Sequence, residues 1–426
     1  MTCEEAVSYI HSQKRFGPKP GLDRARKLLS LVGDPHQKLR FVHIAGTNGK
    51  GSTTMMLASV LRQAGYRTGS FISPFVLDFR ERFQINGEMI PPEKLAELTE
   101  RLRPFVEQMN AAGETVAEFE LVTALGMLYF YEERCDIVCL EVGIGGLYDS
   151  TNVISTPLAA VITAVSFDHT DMLGDTLEEI ARQKAGIIKQ DTDAVCYALN
   201  PPEVVGELMR QCAKTASRLH LPSPAAVKEI RTGLDGTGFV YEEQPYHIPL
   251  AGEHQAYNAL SVLQTVEILC RKGFSISQQA VEQGLAAAAF PARFELVHEH
   301  PLIVIDGAHN PGGAEALART LRQFPAQPKA AVIGALKEKE YQYLLKEICP
   351  MCKRVVAVDI HSPRALPKEE LCRAASAYCG DCVTEAELSA ALRRAAEAVG
   401  EDGMVIVCGS LYLASEIRET AKRYPQ

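Results

Sequence analysis

No uninterrupted apolar run in this 426-residue chain approaches the ~18–20 residues that a membrane-spanning helix needs. The start, Met-Thr-Cys-Glu-Glu, is acidic and lacks the basic-then-apolar order of a signal peptide. A soluble, cytoplasmic protein without a membrane partner is expected. Basic charge is also in deficit, with Lys+Arg 44 against Asp+Glu 53 and a net charge of −9. Nucleic-acid binding needs a clustered basic surface, so no nucleic-acid partner is expected. Internal repeats and low-complexity tracts are absent. What remains is ordinary globular composition, 46% hydrophobic and 23% charged, enough for sizeable cores. At roughly 150 residues per domain, the length predicts two to three domains.

The 12 cysteines raise a separate question. A chain this long has no need of disulfides, and without an export signal its thiols should stay reduced. Cys349-Pro-Met-Cys352 and Cys379-Gly-Asp-Cys382 have the paired spacing that can hold zinc tetrahedrally. The segment between the pairs is longer than in common zinc ribbons. Burial as small apolar residues is the preferred reading.

Hydrophobic patterning gives the order of elements. Thr2-Cys-Glu-Glu5 has capping-box spacing and opens a helix reaching about residue 13; a second helix covers 22–31. Short continuous apolar runs at 40–45, 68–72, 136–140 and 159–165 read as buried strands. Helices are expected over 52–64, 93–112 (kinked or divided at Pro104), 119–133 and 176–184. The pattern weakens into short, Gly-interrupted strands over 222–249, followed by helices at 254–271 and 277–289. Phe290-Pro-Ala-Arg-Phe294 then breaks the run. Strands at 302–306, 330–334, 354–359 and 404–408 follow, separated by helices. Such alternation predicts an α/β fold: an N-terminal P-loop ATPase-type doubly wound sheet (1–290), a linker (291–296), and a smaller C-terminal Rossmann-like domain (297–426).

Three stretches carry chemistry. In His43-Ile-Ala-Gly-Thr-Asn-Gly-Lys-Gly-Ser52, glycines at 46, 49 and 51 let backbone N–H groups curl around phosphate oxygens. Lys50 adds charge near the β- and γ-phosphates, and Ser52 can ligate Mg²⁺ at a helix N-terminus. The first glycine of the full Walker pattern would fall on Ile44, so the match is incomplete. Glu141 ends a buried strand, on the rim where open α/β sheets bind ligands, and can hold a hard cation. Asp168-His169 ends another strand on the same rim. A second rim is expected at Asp306 and His309, within Ile305-Asp-Gly-Ala-His-Asn-Pro311. Two such rims facing each other across a linker would make a ligand cleft. Lys184 follows the ordinary expectation for a helical lysine, a solvated surface charge.

Taken together these residues resemble the folylpolyglutamate synthases, often bifunctional with dihydrofolate synthase, of the Mur ligase superfamily. The resemblance extends over nearly the whole length, including Ser73-Pro74, Glu81-Arg-Phe83, Phe119-Glu120, Gly252-Glu-His-Gln255 with Asn258, Arg293-Phe-Glu295 and Gly409-Ser-Leu-Tyr412. It implies that the C-terminal domain is a glutamate-ligase domain. It also implies that ATP phosphorylates a carboxylate of a folate or dihydropteroate and that L-glutamate attacks the acyl phosphate. By resemblance, Thr47, Asn48, Gly49, Lys50, Gly51, Ser52, Asn258, Arg293 and Asp306 contact ATP. Ser52, Ser73, Glu141, His169 and a carbamylated Lys184 hold metal, with two Mg²⁺ ions expected, and His309 sits near the transferred phosphate or the incoming glutamate. Gly21, Phe119, Glu120, Tyr148, Asp149 and Ser150 would form the pterin-side pocket. A monomer is expected.

Two departures stand out. Phe75 follows Ser73-Pro74 where the family often has histidine, and Leu147 replaces a usual arginine in Gly145-Gly-Leu-Tyr-Asp-Ser-Thr-Asn152. A cell-wall ligase of the same superfamily would need a uridine-nucleotide domain before the P-loop, and about 40 residues are too few on ordinary domain sizes. A P-loop regulator without ligase activity leaves the second rim unexplained. A degenerate folate binder leaves Lys50, Glu141 and His169 unexplained.

Overall fold

The protein is described here by a computed structural model covering residues 1–17, 19–337 and 340–424. It forms two compact units, one of residues 1–227 and 257–288, the other of 228–256 and 289 onward.

The sheet of the first unit contains β1 (Phe41–Ala45), β2 (Thr68–Phe71), β3 (Phe83–Ile85), β4 (Glu88–Met89), β5 (Ile137–Glu141), β6 (Ala159–Ile162), β7 (Asp193–Cys196) and β8 (Arg218–His220). Their order is β4-β3-β2-β5-β1-β6-β7-β8. From β2 to β8 all neighbours run parallel; β3 and β4 add an antiparallel edge. Every residue of β1, β5 and β6 is buried, the consequence of helices covering both faces. The strands expected at 40–45, 68–72 and 136–140 are thus present to within a residue or so at each end. β7, β8 and the helix Pro202–Lys214 between them were not read from the sequence.

Both expected capping boxes exist, Thr2 with Glu5 and Thr176 with Glu179, each satisfying two helix-end N–H groups. The helix Pro92–Ala111 contains Pro104 and is not divided by it. Leu95, Leu98, Leu102, Val106 and Met109 form one continuous buried stripe, and that packing outweighs the single hydrogen bond proline removes.

In the second unit, β9 (Val227–Gly233), β10 (Gly236–Tyr241) and β11 (Gln244–Ile248) make a small three-stranded sheet. A six-stranded sheet contains β12 (Glu295–Glu299), β13 (Leu302–Ile305), β14 (Lys329–Ile333), β15 (Cys352–Val358), β16 (Cys382–Glu385) and β17 (Met404–Cys408), ordered β12-β13-β17-β14-β15-β16. All but β12 run parallel. Glu295 and Leu296, inside the expected linker, already belong to β12.

The paired cysteines gather near the starts of β15 and β16, but their thiols are turned to carbonyls. Cys379 Sγ donates to Cys352 O (3.3 Å) and Cys382 Sγ to Cys379 O (3.1 Å). Burial pushes the Cys352 thiol up to about 12 and the Cys382 thiol to about 11. Among the described residues no group of three or more His, Cys, Asp or Glu side chains is arranged to hold a metal ion. The cysteines are free and mostly buried.

Candidate functional site

Strands β2, β5, β1 and β6 are consecutive and parallel, so their carboxyl ends share one edge of the sheet. Ser73 follows β2, Glu141 ends β5, the Gly46–Ser52 turn follows β1, and Asp168-His169 follows β6. β5 and β6 flank β1 on opposite sides, and a crevice at such a strand end is where open α/β sheets take ligands.

Within the turn, Gly49 has φ 83° and caps the helix Lys50–Gln63; a Cβ there would be strained and would stand 2.6 Å from Asn258 Oδ1. Thr47 N and Asn48 N donate to Ala164 O at 2.8 and 3.1 Å, and Thr47 Oγ1 donates to Ser166 O at 2.9 Å. The loop after β6, which leads to His169, is therefore tied directly to the phosphate turn. Gly46 leaves room for Thr163, whose hydroxyl donates to Asn48 O at 2.8 Å. Lys50 Nζ donates to Thr47 O at 3.1 Å and Ser52 is 2% exposed.

Lys184 overturns the expectation of a surface lysine. It is 2% exposed, and its Nζ donates to Gly46 O at 2.8 Å. Burial, aided by the nearby Lys50 charge, lowers its ammonium to about 7, with Asp168 and Asp149 opposing. A large neutral-amine fraction near pH 7 follows.

Glu141 is 4% exposed and accepts from Ser73 N at 3.1 Å. Ser73 Oγ accepts from Arg82 Nη1 at 3.0 Å. Arg82 is buried against the rings of Phe75 and Phe79, 5.2 and 5.5 Å from their centroids. Phe75, in place of the usual histidine, thus forms part of the apolar housing of that guanidinium. Glu81 fixes the same loop by accepting from the backbone N–H groups of Val76, Leu77 and Asp78. Sequence reading named Ser73 but not Arg82 or Glu81, although both lie in a motif quoted for the resemblance. His169 is a left-handed residue (φ 52°) with its Nε2 3.8 Å from Asp168 Oδ1.

Of the residues expected around a pterin, Phe119 and Asp149 meet at Gly143, where an added Cβ would lie 2.7 Å from the ring and 3.1 Å from Oδ2. Tyr148 is 54% exposed and Leu147 36%. Glu120 is buried in an ion pair with Arg24 (2.8 Å) and also accepts from Ala117 N. Arg24 donates to Lys19 O (3.0 Å) as well, so it fastens the segment leading to Gly21 onto Glu120. Arg24 gave no sequence signal.

The second unit holds its own rim. Asp306 follows β13 directly, accepting from Ala308 N (2.8 Å) and Phe294 N (2.9 Å). Burial raises its carboxyl and the Arg293 charge opposes that rise. His309 Nδ1 lies 2.7 Å from Gly307 O; a carbonyl only accepts, so Nδ1 carries the proton. Arg293 stands over Phe290 at 5.0 Å. Asn258 belongs to the first unit, beside Gly49, whereas Arg293, Asp306 and His309 belong to the second.

Comparison with known proteins agrees with this geometry. The Mur ligase middle domain matches residues 44–266, and the glutamate ligase domain of the Mur ligases matches 292–411. Similarity to a dihydrofolate synthase/folylpolyglutamate synthase of Bacillus subtilis is 37% identity, over 98% of this chain and 99% of that protein. A folylpolyglutamate synthase of Lacticaseibacillus casei is also 37% identical, over 99% of each chain. The crystal structure of Mycobacterium tuberculosis folylpolyglutamate synthase with ADP and AMPPCP superposes with a TM-score of 0.90 at 31% identity, covering 100% of this chain and 99% of that one.

Proposed function

The chain belongs to the Mur ligases, in the branch of the folylpolyglutamate and dihydrofolate synthases, and on that premise we propose how its residues perform the reaction. It is an ATP-dependent ligase that joins L-glutamate to a folate. ATP gives its γ-phosphoryl group to a substrate carboxylate, and ADP leaves. The glutamate amine attacks the resulting acyl phosphate, losing a proton, so that phosphate leaves and an amide remains.

The observation that carries the residue assignment is the single sheet edge shared by the phosphate turn, Ser73, Glu141 and His169. Phosphoryl transfer depends mainly on positioning and on neutralising charge. Backbone N–H groups of 49–52, at the N-terminus of the Lys50–Gln63 helix, cradle the triphosphate, those of Thr47 and Asn48 being committed to Ala164 O, and Lys50 neutralises it. Asn258 supports the nucleotide from beside Gly49. In the second unit Arg293 and Asp306 are proposed nucleotide contacts. His309, with Nδ1 committed to Gly307, is proposed to act through Nε2 near the transferred phosphate or the glutamate amine.

The donor set fits a hard divalent cation, because Ser52 and Glu141 are buried oxygen donors at the same rim. Ser52, Ser73, Glu141 and His169 would hold Mg²⁺, which supplies charge neutralisation between two anions. Lys184 fits this site only as a carbamate: its neutral amine adds CO₂ and loses a proton, turning a repelling ammonium into an anionic oxygen donor. ¹³CO₂ loading followed by carbon NMR tests this, with a carbamate resonance in wild type and none in Lys184→Met.

Incubation with ATP, labelled glutamate and either tetrahydrofolate or dihydropteroate, followed by product mass analysis, tests the function. A glutamylated folate is expected. Phosphate release that is unchanged when glutamate is omitted would identify a regulator that merely hydrolyses ATP. We propose dihydropteroate as a second acceptor, on the strength of the bifunctional Bacillus relative.

A further inference from the structure

We infer that His43 and Thr151 are positioning residues, which orient Asp149 and through it the 143–153 loop that presents Leu147 and Tyr148. His43 lies mid-strand in β1 and is fully buried between Val42 and Ile44, where an apolar side chain would be the ordinary choice. Its Nε2 stands 2.9 Å from Thr151 Oγ1, and Thr151 Oγ1 stands 2.6 Å from Asp149 Oδ1. A carboxylate only accepts, so the threonine hydroxyl donates to Asp149 and its oxygen takes the His43 Nε2–H. His43 Nδ1 then carries no proton, in keeping with its having no hydrogen-bond partner among the described residues. Burial, with Lys189 nearby, lowers the imidazole to about 3, so it stays neutral and keeps this direction of donation at working pH.

Asp149 is the hub of the arrangement. Oδ1 also accepts from Thr151 N (3.0 Å) and Oδ2 from Ile144 N (2.8 Å), joining the two ends of the loop. The far side is closed by Asn152 Nδ2, 3.1 Å from both Leu147 O and Gly186 O, and by Leu147 N on Gln183 O at 2.7 Å. The backbone is thereby fixed while Leu147 and Tyr148 stay open to solvent. The bonds from Thr151 and Ile144 to Asp149 hold the loop in register. Hydrogen bonds linked in series in a water-excluded site strengthen one another, and removing one leaves the next buried and unsatisfied.

The kinetic half of the test rests on the folate reading; the exchange half does not. Backbone hydrogen exchange of the 143–147 segment should quicken about tenfold in His43→Leu and Thr151→Val, the equivalent of one buried hydrogen bond. It should return to the wild-type rate in His43→Gln and Thr151→Ser, which keep the donor or the hydroxyl. KM for tetrahydrofolate or dihydropteroate should rise about tenfold in the first pair, with KM for ATP within about twofold. Unchanged exchange in both apolar variants overturns the inference, as does loosening that reaches the phosphate turn with both KM values rising together. If wild type ligates neither pteridine, the functional reading fails and the exchange result alone decides this one.

Discussion

The nucleotide end and the pteridine end of the first unit are held by different kinds of bond. Around the phosphate turn the partners are backbone: Lys184 and Lys50 donate to carbonyls, Thr47 N and Asn48 N donate to Ala164 O, and Gly49 supplies a left-handed φ. Around the proposed pteridine pocket they are side chains brought together from afar, Arg24 with Glu120 and His43 with Thr151. The first arrangement depends on glycine spacing and tolerates little, whereas the second can be altered one side chain at a time. The two ends should therefore fail differently.

The sharpest contrast is Lys50→Ala against Glu120→Ala. Removing the Lys50 charge should lower kcat about 10³-fold or more, with little loss of stability, because the group acts on charge developing in transfer. Near-normal turnover would contradict its role. Glu120→Ala should instead leave the half-buried Arg24 without its carboxylate and cost about 2 kcal/mol. Chemical denaturation reads that loss, and KM for the pteridine should rise as the segment near Gly21 loosens. An unshifted midpoint would show the pair to be idle.

The same contrast explains what the sequence made legible. Glycines at fixed spacing after an apolar strand announce a phosphate turn, and Glu141 at a strand end announces a rim, because both are local facts. Its own helix reads Lys184 as a solvated lysine, since nothing within that helix indicates that it lies under Gly46, and only the family resemblance singled it out. Arg24 and His43 were invisible as partners for the same reason, their contacts being 96 and 108 residues away. Pro104 misled in the other direction: its local penalty was real, but the buried stripe on either side of it decided the helix. The cysteine pairs carried a metal-like spacing, and the thiols of Cys379 and Cys382 donate to carbonyls.

Acid stability extends the comparison to both units. His43 in the first unit is buried and His254 in the second is half-buried by surface area, and desolvation of their rings holds both neutral, at about 3 and about 4. The unfolded chain protonates its histidines near 6.5, so as pH falls below that value the unfolded state gains protons that these folded sites refuse. Stability is full above 6.5 and is lost progressively toward 4, on the order of 3 kcal/mol for each group. His254→Gln should therefore show a smaller drop in melting temperature between pH 7 and pH 4.5 than wild type does. An equal drop would mean that other groups govern acid unfolding.

The smallest effect is expected at Leu147, and it bears on which acceptor the pocket prefers. Its backbone N–H is fixed on Gln183 O and its carbonyl on Asn152, while the side chain is 36% exposed. Leu147→Arg should therefore restore a permanent charge without moving the loop, changing stability by less than about 0.5 kcal/mol. An exposed guanidinium beside an anionic substrate adds a screened attraction of a few tenths to 1 kcal/mol, so KM should fall about two- to threefold at low ionic strength and converge on wild type in about 0.5 M salt. The gain should be larger for a folate with several glutamyl carboxylates than for dihydropteroate, which bears a single one. An equal gain for both acceptors would place the charge away from the glutamyl chain, and a gain that survives salt would mean that the arginine makes a buried, directed contact.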